Sequence, residues 1–110
     1  MSPSSLPGLA EQHLATARTA SSGRSAQTLY GGHDSTLHQT LIALAAGRKL
    51  DEHENPGEAT LHVLHGRVRL ATATDATDAA AGDLLAIPDA RHTLEALDDA
   101  AVLLTVAKPH

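Results

Sequence analysis

The chain has 110 residues, 19% of them charged, and a formal net charge of −5; that length holds one domain and leaves no room for a second core. A hydrophobic fraction of 42% is too high for a disordered chain, and the absence of cysteine excludes disulfides, thiolate catalysis and thiolate-held zinc or iron–sulfur centres. The acidic balance and an aromatic content of 1% argue against nucleic acid, which needs clustered cations or stacking platforms.

Residues 1–8 are rich in Ser, Pro and Gly and are expected to fray. They carry no basic stretch followed by an apolar one, and no apolar run approaches the ~20 residues of a membrane helix. The expectation is a cytoplasmic protein with no membrane partner. From Leu9 to Thr19 the letters are helix formers, with Gly8 and Glu11 as a capping pair and Leu6, Ala10, Leu14 and Ala17 on one face. Ala20 to Gly23 stops this helix, which reads as a peripheral element laid on a sheet. Residues 1–24 are thus an N-terminal extension and residues 25–110 a β domain.

Ser25 to Tyr30 reads as a strand, and His33-Asp34-Ser35 as a turn. Leu37 to Ala45 is apolar on both faces, as a buried strand or a helix would be; the β-branched Thr40 and Ile42 and the nearby Gly47 favour the strand. Beyond Gly47 the turn signals come at short spacing: Asn55-Pro56-Gly57, Gly66, Asp75 to Asp78, Gly82-Asp83, Pro88-Asp89 and Asp98-Asp99. Between them lie the strand candidates 59–64, 67–72, 84–87, 92–97 and 101–107. Short strands so spaced, with no crossover helices, predict an antiparallel sandwich or barrel. In Arg67-Val68-Arg69-Leu70 the arginines share a solvated face and the aliphatics face the core. Alanine is the commonest residue and Phe and Trp are absent, so each buried position removes little area from water. A chain this small gains by burying more surface against a second copy, and a homodimer is expected.

Eight histidines are many for this length. Imidazole is the commonest neutral metal ligand and the near-neutral acid–base group, so their spacing matters. His62 and His65 would point to opposite faces of a regular strand. His13, His33, His38 and His110 have no local partners and read as surface groups. His53 and His92 each sit in a longer frame.

The stretch from Gly47 through His53 to Gly66 resembles the first motif of the cupin superfamily, G-x5-H-x-H-x3-E-x6-G. Gly82 to His92 resembles the second, G-x5-P-x-G-x2-H, with Gly82 and Pro88 in place. The resemblance implies an all-β, cupin-type jelly-roll β-barrel with a short N-terminal helix. In metal-binding cupins both motifs together hold one divalent metal. By position His53 and His92 are the surviving ligands, His92 arriving one residue early. Asn55 stands for the second histidine and Ala59 for the glutamate. An amide is a weak donor to transition metals and alanine has none. Gln39 or His38, on a neighbouring strand, would reach the pocket depending on register.

The implied pocket is therefore His53, Asn55, His92, Gln39 and Ala59. Its expected task is to bind a small molecule without a tightly held metal. Two alternatives stand beside it. One is a metal-dependent dioxygenase, isomerase or decarboxylase with a weakly bound divalent ion on His53 and His92; the other is a non-catalytic dimeric interaction module.

Overall fold

The computed structural model describes residues 1–53 and 57–108, and for Glu52 and His53 the backbone alone. Helix α1 spans Leu6–Thr19 and is followed by nine strands: β1 Arg24–Tyr30, β2 Leu37–Leu44, β3 Lys49–His53, β4 Glu58–His65, β5 Arg67–Ala71, β6 Ala76–Ala80, β7 Leu84–Ala86, β8 His92–Ala96 and β9 Ala100–Ala107. The helix begins one turn earlier than helix propensity suggests. Its N-cap is Ser5, whose hydroxyl accepts the Gly8 N–H at 3.2 Å, and Pro7 lies in the first turn, where its missing donor costs nothing.

Strands β2 to β9 form two antiparallel sheets, β2-β9-β4-β7 and β3-β8-β5-β6, and β1 extends the first beyond β2. That order of eight strands is the jelly roll, a sandwich of two interlocked Greek keys. Two strands, β3 and β6, lie where the sequence pattern places none: residues 49–53 are assigned no element, and Asp75 to Asp78 reads as a turn signal. Their letters, Lys-Leu-Asp-Glu-His and Ala-Thr-Asp-Ala-Ala, have little apolar alternation. They are strands because β8 and β5 offer them partners: Leu50 pairs with Leu94, and Val68 with Ala79. Pairing and burial outweigh propensity here.

The core lies between the sheets. From the first come Leu44, Leu61, Val63 and Val102; from the second come Val68, Leu70, Leu94 and Ala96. On β2 these are the even positions, so Leu41 and Ala43 face the other way, where α1 covers the sheet. The helix lays Ala10, Leu14 and Ala17 against Ala43, Ala101 and Leu64. Most of these side chains are methyls, which lets helix and sheet approach closely. Polar contacts pin the periphery: the His13 ring bridges Ser25 Oγ at 2.6 Å and Gln27 Oε1 at 2.8 Å, and Arg18 Nε donates to Asp99 at 2.7 Å. Among the described residues no helix is long and apolar enough to cross a membrane.

Arg67 and Arg69 stand on the solvated face of β5, as the alternation predicts. Each makes a two-point ion pair, Arg67 with Asp98 at 2.9 and 3.2 Å and Arg69 with Asp78 at 2.7 and 3.0 Å. In β4 the chain departs from strict alternation. An irregularity between Val63 and His65 sets His62 opposite Leu103 and His65 opposite Ala101, on the helix side. A bulge at Leu64 thus brings both histidines to one face, where a regular strand would have divided them.

Candidate functional site

His92 opens β8 and is 3% exposed, the one polar residue among the described buried ones. The β7–β8 connection supplies its anchor: ring Nδ1 lies 2.9 Å from the Ala90 carbonyl oxygen. A carbonyl can only accept, so Nδ1 carries the hydrogen. In the neutral ring Nε2 is then the lone-pair atom, the acceptor of the two nitrogens.

Among the described residues the lining around the ring is aliphatic. Ile42, Leu61 and Leu104 approach from one sheet, Leu50, Leu70 and Leu94 from the other, and Ile87 from the connection before β8. They line a space of about 20 Å³, room for roughly one water. A buried imidazole in such surroundings is a local polar anchor, oriented by its backbone bond and screened from bulk solvent.

The remaining sequence candidates fall in different places. Position 53 is the backbone partner of position 92 across β3 and β8, so the two motifs meet in the sheet ladder; the His53 side chain lies outside the described residues. Asn55 also lies outside them. Ala59 pairs with Val106 in line with the inward Leu61 and Leu104, and it brings a methyl where a glutamate would bring a donor. Gln39 is on the odd, helix-side face of β2 with Leu41 and Ala43, and its amide Nε2 donates to Thr105 at 3.3 Å. His38 has the inward parity, but its ring turns back to its own turn, with Nε2 2.8 Å from the Ser35 carbonyl. Neither side chain lines the void around His92. Among the described residues no three His, Asp or Glu side chains converge as a metal cage.

A feature that sequence reading missed lies beside this chamber. A groove of about 370 Å³ runs between the β5–β6 hairpin and the β7–β8 connection. Thr72, Thr74, Asp75 and Thr77 form one wall, and Leu85, Pro88 and Ala90 the other. The threonine-rich letters of the hairpin were its only signal, and they read equally as a solvated turn.

No family model and no curated protein matches the chain. Solved structures do. A conserved protein of unknown function from Streptococcus pyogenes superposes with a TM-score of 0.73 at 25% identity, over 83% of this chain and 79% of that one. A cupin superfamily protein from Desulfitobacterium hafniense gives 0.71 at 17% identity over 78% of both chains. An RmlC-like cupin from Desulfovibrio desulfuricans gives 0.66 at 23% identity, over 79% and 84%. The fold is that of the RmlC-like cupins.

Proposed function

We propose that the protein binds a small molecule inside the cupin barrel at His92 and holds no tightly bound metal ion. The observation that carries this reading is the His92 ring itself, buried among aliphatic side chains and held by the Ala90 carbonyl. A buried polar group kept in one orientation by the backbone is suited to recognise one polar atom of a ligand, with the apolar lining taking the rest. The ligand set argues against a strong metal centre, since Ala59 has no donor and catalytic metal ions normally keep three protein ligands. Localisation in the cytoplasm and a homodimeric state belong to the same proposal, resting on the absence of cysteine and on the alanine-rich core.

Two measurements test it together. Elemental analysis after metal-free purification and reconstitution with Fe(II), Mn(II), Ni(II) and Zn(II) should find no stoichiometric metal. A fragment screen followed by methyl NMR should move Ile42, Leu94 and Leu104 in the parent but not in His92→Leu. Stoichiometric retention of a metal that is lost in His53→Ala would replace this reading with a metal-dependent enzyme.

A second reading is a dimeric interaction module. It is favoured by the small size of the void, about 20 Å³, which the described side chains nearly fill. If no fragment perturbs the interior methyls and the protein sediments as a dimer, that reading takes its place.

A further inference from the structure

The void at His92 and the outer groove are neighbours. Leu70 lines both, and it is 7% exposed. Ala90 is a second link: it forms part of the groove wall, and its carbonyl holds the His92 ring. The Leu70 side chain and the Ala90 peptide unit therefore both border the groove of about 370 Å³ and reach the inner space of about 20 Å³ at His92. The inner space alone is too small for anything beyond a water-sized group. The two joined would hold a small metabolite.

The groove wall also has a chemical bias. It carries the hydroxyls of Thr72, Thr74 and Thr77 and the carboxylate of Asp75, and among the described residues no Lys, Arg or His lines it. An anionic ligand would lose its hydration there without a cation to replace it. A hydroxylated neutral molecule would find both donors and acceptors, and an aliphatic end would match Leu70, Leu85 and Pro88.

We propose that this groove is the outer chamber of the barrel site, that the Leu70 side chain is the gate between it and His92, and that the two together take an uncharged amphiphilic molecule, hydroxyl end outward and aliphatic end inward. This rests on the reading of the barrel interior as a ligand site, and the experiment separates the two.

The probe is carbethoxylation of His92 by diethyl pyrocarbonate, followed by peptide mass spectrometry, with the exposed His33 as internal reference. Leu70→Ala should open the gate. Leu61→Ala removes another buried leucine that lines the void but not the groove, and it controls for general loosening of the core. The His92 rate relative to His33 should rise about tenfold or more in Leu70→Ala over Leu61→Ala. Pentane-1,2-diol should slow it in Leu70→Ala, and pentanoate, of the same chain length but anionic, should not. Equal rates in the two variants would overturn the gate. Equal protection by pentanoate would overturn the ligand class. A rise specific to Leu70→Ala with protection by neither compound would leave the connection standing and overturn the ligand site itself.

Discussion

The carbonyl oxygen of Ala90 lies 2.9 Å from Nδ1 of His92 and determines which of the two ring nitrogens carries the hydrogen. The bond also sets the ring's orientation among Leu50, Leu61, Leu94 and Leu104. The neutral ring should therefore be the Nδ1–H tautomer. Long-range nitrogen–proton correlation NMR on the neutral protein checks this. A spectrum with the hydrogen on Nε2 would show that the backbone does not hold the ring in solution.

The sheet interface should be intolerant of cavities. Leu44 is 2% exposed and sits in the core between the two sheets. Leu44→Ala is expected to cost about 2–5 kcal/mol, lost transfer energy plus an unfilled space. Urea denaturation measures it as a lower midpoint with an unchanged slope. A loss below 1 kcal/mol (about half the lower bound) would mean that the interior relaxes around the gap.

The helix interface should be intolerant of the reverse change. Ala101 is fully buried and meets α1 beside Ala43. Ala101→Leu should cost about 1–3 kcal/mol by overpacking, and the loss should appear as weaker α1 docking. Hydrogen exchange read residue by residue checks it: protection should fall across residues 6–19 and persist in β5 and β8.

Two left-handed glycines allow a clean comparison. Gly66, at φ 73°, joins β4 to β5, and a Cβ there would run into the Asp99 carbonyl. Gly82 has φ 94° and open space around it. An alanine at either position carries the left-handed penalty of roughly 1–2 kcal/mol. Gly66→Ala should be the more destabilising of the two, because the backbone of the β8–β9 turn must also move. Equal thermal midpoints would mean that the turn yields freely.

Acid should weaken the fold through the surface carboxylates. The guanidiniums of Arg67, Arg69 and Arg18, through hydrogen bonds first and charge second, hold the carboxyls of Asp98, Asp78 and Asp99 below their usual range; the Ala46 N–H adds to the effect at Asp99. Folded values lie below unfolded ones, so the unfolded chain binds more protons as pH falls. The contribution is fully present above the unfolded value of ~3.9 and is lost as pH drops through the folded values. Denaturation midpoints between about pH 5 and pH 3 should fall less steeply in the triple variant D78N/D98N/D99N than in the parent. Matching slopes would show that solvent screening leaves these pairs without measurable effect.

Much of the architecture is legible in the residues themselves. The alternation of Arg67 to Leu70, the β-branched letters of β2 and the regular turn signals point to a β sandwich, and the glycine–histidine frames point to the cupin fold. What escaped reading has physical causes. Strands β3 and β6 lack an apolar period and exist through their partners. The N-cap at Ser5 acts through one hydroxyl that also suits a loop. The bulge at Leu64 depends on the register with β9, which no local pattern encodes. The same dependence sends Gln39 to the helix side, since a strand face is known only once its neighbours are. The groove beside Leu70 is assembled from two connections far apart in sequence.

The small side chains under α1 have a consequence of their own. Substitution there has almost nowhere to go: glycine is the only smaller residue, and every larger one acts as a wedge. A surface remote from His92 is therefore closed to drift for reasons of clearance alone. Were relatives found to keep alanine at positions 43 and 101, that retention would report on how tightly the helix rides the sheet, and not on chemistry.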